Sequence, residues 1–99
     1  MRLWIDDVRP APEGYVWCKS TFEAICKLLH AVRGTYAVEL IDLDHDAGDY
    51  VNDGGDYVKI LDWMEKIGYT PNAIHIHSMN VVGVENMRRI IRKNGWREV

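Results

Sequence analysis

Short apolar runs suited to strands alternate with amphipathic helical runs, and this alternation predicts an α/β fold. The expected architecture is a small three-layer domain. Its sheet is mainly parallel, with about four strands in the order 2-1-3-4, helices on both faces and room for a short C-terminal edge strand. Two further observations support the class. Helical runs close on Gly34, Gly68 and Asn94-Gly95, the residues that end helices. Polar clusters (Asp6-Asp7, Asp44-His45-Asp46, Ser78-Met79-Asn80) follow three of the strand runs, where open parallel sheets bind ligands. With 99 residues, the chain reads as one domain, residues 1–99.

The first strand is Arg2 to Ile5. It runs into Asp6-Asp7 and then a loop punctuated by Pro10, Pro12 and Gly14. Tyr15 to Cys18 is a second strand. Only about eight residues join the two, fewer than the ten or more that a helical crossover needs, so this link is read as a loop without a helix or as leading into an irregular strand. Ser20 to Glu23 forms a capping box opening a helix to about Val32, whose buried face is expected to be Phe22, Ile25, Cys26, Leu28 and Leu29. Ala37 to Leu43 is the third strand, and Asp42 within it is read as facing solvent. A Gly- and Asp-rich loop, Ala47 to Gly55, follows. Asp53 to Asp56 can cap a second helix, Tyr57 to Ile67, with Tyr57, Ile60, Leu61, Met64 and Ile67 on its apolar face. Ala73 to His77 is the fourth strand, and Val82 to Lys93 the third helix, with Val84, Met87, Ile90 and Ile91 inward. Trp96 to Val99 is the candidate edge strand.

Composition narrows the function classes. The net charge of −3 argues against a general DNA-binding surface. No run approaches the roughly 20 apolar residues of a membrane span, and the start reads as a strand rather than a signal peptide. Cys18 and Cys26 fit two buried reduced thiols better than a disulfide framework or a zinc site, so a cytoplasmic protein is expected. Charge is unevenly spread. Residues 39–56 carry seven acids and no Lys or Arg, whereas residues 88–97 carry five bases and no acid.

In a 2-1-3-4 sheet the ends of strands one, three and four are neighbours. Asp6, Asp7, Asp44 and Asp46 would then crowd one site, and several carboxylates cannot all stay charged there without a counter-ion. Mg²⁺ or another hard divalent cation, held by Asp6, Asp7 and Asp44, resolves this, and such an ion favours phosphoryl oxygens. Arg9, Ser78, Asn80 and His77 are the candidate phosphate-binding residues. Asp44 is the candidate nucleophile, with Asp46 or His45 as acid/base. An EF-hand is rejected for Asp42, Asp44, Asp46 and Asp53: Ala47 stands where that loop needs Gly, and a strand precedes it.

Leu3-Trp4-Ile5-Asp6-Asp7-Val8-Arg9-Pro10, then Leu43-Asp44-His45-Asp46, then His77-Ser78-Met79-Asn80 together resemble the cyclic-phosphate-processing receiver domain, a receiver-like family of flavodoxin-like fold. The resemblance implies a metal-dependent domain acting on phosphate groups, with a phosphate-bearing small molecule or an RNA end as partner in an RNA-repair setting. By position it makes Asp6 and Asp7 the receiver acidic pair, Asp44 the phosphoacceptor and Ser78 the hydroxyl residue. The chain departs from ordinary receivers in having no helix between its first two strands and no Lys ending a fifth. Arg9, or Arg88 if its helix brings it inward, is the replacement cation. Two functions follow as expectations: a Mg²⁺-dependent phosphoesterase, or a regulatory module that accepts phosphate or binds a ligand.

Overall fold

A computed structural model describes residues 1–99. Its elements are β1 (Arg2–Ile5), β2 (Tyr15–Cys18), α1 (Thr21–Val32), β3 (Leu40–Leu43), a single 3₁₀ turn at Gly48–Tyr50, α2 (Val58–Ile67), β4 (Ile74–Ile76) and α3 (Val81–Asn94). The four strands form one parallel sheet in the order β2-β1-β3-β4, as read from the sequence. Glu98 makes a parallel bridge to Ile74, so the expected edge strand exists as a single pairing. No helix is long and apolar enough to cross a membrane.

Helix placement follows from topology. The steps β2 to β3 and β3 to β4 run in the same direction across the sheet, so right-handed crossovers put α1 and α2 on one face. There α2 packs against both α1 and α3. Leu3, Ile5, Cys18, Ile41, Leu43, Ile74 and Ile76 are the buried strand residues of the core. The step from β1 to β2 runs the other way and contains no helix. The helices are therefore less evenly shared between faces than expected. The opposite row, Trp4, Asp42 and His75 in register, has no crossover helix of its own above it.

A loop can make this crossover because Asp6 organises it. The Asp6 carboxylate accepts the backbone N–H groups of Val8 (3.0 Å) and Arg9 (2.9 Å) through Oδ1. Two indoles brace the turn: Trp17 Nε1 donates to the Asp6 carbonyl and Trp4 Nε1 to the Arg9 carbonyl, both at 2.8 Å. The doubt over the short link is thus settled in favour of a loop and a regular strand.

The structure corrects several local expectations. In α1 the buried residues are Thr21, Ala24 and Leu28, while Phe22 is 59% exposed and Cys26 is half-buried. Ser20 caps the helix as expected, accepting the Glu23 N–H. The helix phase is set by Thr21, whose hydroxyl donates to the Gly55 carbonyl at 2.9 Å and turns its neighbour Phe22 outward. β3 is shorter than read, and residues 37–39 are not strand, although Val38 is buried. Tyr57, not an Asp, occupies the α2 N-cap, because Asp56 accepts the Ala47 N–H instead. Ile67 at the end of α2 is exposed, and in α3 Val84 and Ile90 are only partly buried. Both cysteines are free, and burial pushes the Cys18 thiol up to about 12.

Candidate metal and phosphate site

The register of the sheet builds the site. Ile5, Leu43 and Ile76 form one row across β1, β3 and β4. The ladder continues one residue further: Asp6 N–H donates to Cys18 O, Asp44 N–H to Ile5 O and His77 N–H to Leu43 O. Asp6, Asp44 and His77 are therefore the next row, on strands spaced about 4.8 Å apart, and they share one face. Ligand atoms of these three side chains lie within 4.8 Å of one another. Asp7 stands beside them. Its carboxyl is raised above the ordinary range, first by burial and then by the negative charges of Asp6 and Asp44.

His77 joins two carboxylates. Its Nδ1 lies 2.7 Å from Asp42 Oδ1 and its Nε2 2.9 Å from Asp6 Oδ2. The ring stacks on Trp4, with centroids 3.9 Å apart and planes within 3°. Asp42 is thus not a solvent-facing residue: it is 7% exposed and bound to His77, its diagonal neighbour on the same sheet face. Burial alone would lower the pKa of His77, but Asp42 and Asp6 outweigh it and hold it above its ordinary value. Burial would likewise raise Asp6, but the Arg9 and Val8 N–H groups and His77 hold it below the carboxylate range.

These shifts set the pH dependence of the metal-free protein. The contribution of Asp6 is present above its ordinary value of 3.8 and is lost as pH falls through its lower folded value. The contribution of His77 is full below its ordinary value of 6.5 and is lost as pH rises through its raised folded value. Urea midpoints measured in chelator should therefore fall on the alkaline side of neutrality, and His77→Gln should flatten that limb. A midpoint that rises from pH 6 to 9 would mean that His77 is neutral in the folded state.

A second cluster flanks the first. His45 Nδ1 donates to Asp46 Oδ1 at 2.9 Å, and Asn80 Nδ2 donates to both Asp46 oxygens at 3.2 and 3.3 Å. The His45 bond, opposed by burial and aided by Asn80, lowers the Asp46 pKa. Asn80 also caps α3, its Oδ1 accepting the Gly83 N–H. The His45 ring lies where a side chain at Gly83 would stand, so that glycine admits the ring against α3. Ligand atoms of His45, Asp46 and Asp56 also fall within 4.8 Å of one another. Ser78 Oγ accepts the Asn80 N–H.

Arg9 reaches back over the site: its Nη1 donates to the His77 carbonyl at 3.1 Å and its Nε lies 3.7 Å from Asp6. Arg88 does not take that position, being paired with Glu98 at 2.8 Å. Tyr57 lies fully buried beneath the acids, its hydroxyl donating to Lys19 O. Burial, then Asp7, Asp6, Asp44 and Asp56, push its phenol upward.

The sequence reading missed Asp42, Tyr57 and the two glycines that make room for Asp7 and His45. The parity of Asp42 with His77 could have signalled the first. Gly48 carries no such signal, because its partner Asp7 is remote in sequence.

The model of the cyclic-phosphate processing receiver domain family matches residues 1–93. The chain belongs to that family. No curated protein and no solved structure matches it. For a receiver domain a divalent cation is the implied group, and the donor set fits one: two carboxylates and an imidazole within ligand reach of one another, with a third carboxylate beside them whose charge is only partly balanced. Asp6 and Asp44 would hold the ion, with Asp7 alongside.

Proposed function

We propose that this receiver domain is a phosphoesterase dependent on Mg²⁺ or another hard divalent cation, acting on cyclic phosphate ends of RNA or nucleotides. The observation that carries the reading is the row of Asp6, Asp44 and His77 across three strand ends, flanked by the His45–Asp46 pair. A bound cation would neutralise the carboxylates and draw a phosphoryl oxygen to the sheet edge. Arg9 and the Ser78 hydroxyl orient the remaining oxygens, and Asn80 holds Asp46 in place. Asp44, at the phosphoacceptor position, would serve as nucleophile or as anchor of the phosphate. Asp46 fixes the His45 ring, so His45 is the acid/base. In direct hydrolysis, the oxygen of water bonds to phosphorus as its proton passes to His45. One ring P–O bond breaks, and the departing alkoxide takes a proton back.

The test incubates the protein with Mg²⁺ and a 2′,3′-cyclic nucleotide, with Asp44→Asn as control. Ring opening that falls at least about 100-fold in the control is the expected result. A second arm uses a small acyl phosphate donor. No ring opening together with stable phosphate on Asp44 would replace the enzyme by a phosphate-accepting regulatory module, the reading that Asp44's phosphoacceptor position supports.

A further inference from the structure

We infer that His77 supplies a nitrogen ligand to the cation of this site and that Asp42 is the positioning residue that aims it. The inference rests on the metal reading above but not on any catalytic step. Two observations carry it. First, His77 Nε2 and Asp6 Oδ2 are 2.9 Å apart, and ligand atoms of Asp6, Asp44 and His77 all lie within 4.8 Å of one another. Ligands at right angles on an octahedral ion, each about 2.1 Å from it, lie about 3.0 Å apart, so the pair already spans one edge of such a shell. Asp6 Oδ1 is taken by two backbone N–H groups, so Oδ2 is the oxygen left to face an ion.

Second, the ring is fixed from behind. Asp42 Oδ1 accepts from Nδ1 at 2.7 Å, and Trp4 lies flat against the imidazole. A carboxylate on one ring nitrogen sets the tautomer that presents the lone pair of the other, the usual support of a metal-bound histidine. An ion at Nε2 takes the place of the proton there, and that proton leaves to water. Asp42 itself is too buried and too far back on the sheet face to belong to the shell. Its effect passes through the ring.

This donor set also bears on which ion binds. A hard all-oxygen shell suits Mg²⁺, whereas an imidazole beside two carboxylates suits Mn²⁺ and later divalent metals better. The domain should therefore bind Mn²⁺ more tightly than Mg²⁺.

Mn²⁺ is the probe. Pulsed electron paramagnetic resonance of the Mn²⁺-loaded protein should show hyperfine coupling to a directly bonded ¹⁴N. The coupling should persist in His45→Gln and vanish in His77→Gln. Asp42→Asn, which keeps an acceptor at Nδ1, should retain it, and Asp42→Leu should weaken Mn²⁺ binding by about 10- to 100-fold in calorimetry. Mn²⁺ bound to the native protein without nitrogen coupling would overturn the inference and leave the metal site standing. Coupling that persists in His77→Gln would overturn it too. No Mn²⁺ binding at all would remove the inference together with the metal reading. Nitrogen coupling without cyclic-phosphate turnover would remove only the proposed activity.

Discussion

Asp6→Ala is expected to cost about 3–5 kcal/mol of folding stability, the range for stripping one partner from a buried charged network. The domain can ill spare it, since total stabilities run at about 5–15 kcal/mol. The size follows from what Asp6 holds. It is fully buried, and its Oδ1 is the acceptor for the backbone N–H groups of Val8 and Arg9. Its Oδ2 faces the His77 imidazole. Removing the carboxylate leaves two main-chain donors and the Nε2 edge of the His77 ring without their acceptor, while Asp42 still holds Nδ1. It also frees the loop that carries the chain from β1 to β2. Asp6→Asn keeps an oxygen for the main chain but loses the charge opposite His77, so a smaller loss of about 1–3 kcal/mol is expected. Urea titrations in chelator measure both. If Asp6→Ala unfolds within 1 kcal/mol of the parent, the carboxylate is not what holds the crossover.

Gly48→Ala is expected to damage the site more than the fold. Gly48 sits at φ +55°, in the left-handed region, where a Cβ costs about 1–2 kcal/mol. Its missing side chain is also the space occupied by the Asp7 carboxylate, so an alanine must push Asp7 out of its place beside Asp6 and Asp44. Affinity for Mn²⁺ or Mg²⁺ should fall at least about 10-fold, as losses of ligand support commonly do. Gly34→Ala separates the two effects. Gly34 is left-handed as well, at φ +83°, but nothing lies near its missing Cβ. It should lose comparable stability with metal affinity unchanged. Equal affinities in the two variants by calorimetry would show that Asp7 is not placed by Gly48.

The strand order and the edge that carries the acids were legible because both rest on local signals. Apolar runs, glycine stops and strand-to-loop polar clusters occur within a few residues of one another, and parallel topology does the rest. Asp44 and His77 needed no long-range information to be placed near Asp6. Phe22 was misread because a helix with apolar residues on adjacent positions has two plausible phases. The choice was made by Thr21 bonding to a carbonyl 34 positions away. Asp42 was misread for a related reason. Alternation marks which residues face away from the helices, but not that a partner waits on that other face. Gly48 and Gly83 look like ordinary loop and helix glycines. Their roles are defined by the side chains of Asp7 and His45, which only the folded chain brings to them.

The row of donors at the sheet edge has a consequence for synthesis on the ribosome. Two of its members are on the nascent chain early, but the third emerges only with His77, after β3 and α2. Until β4 slides in beside β3, the carboxylates at the ends of β1 and β3 have neither their imidazole nor the α3 cap that braces Asp46. The full set of donors is therefore assembled only once β4 has paired with β3.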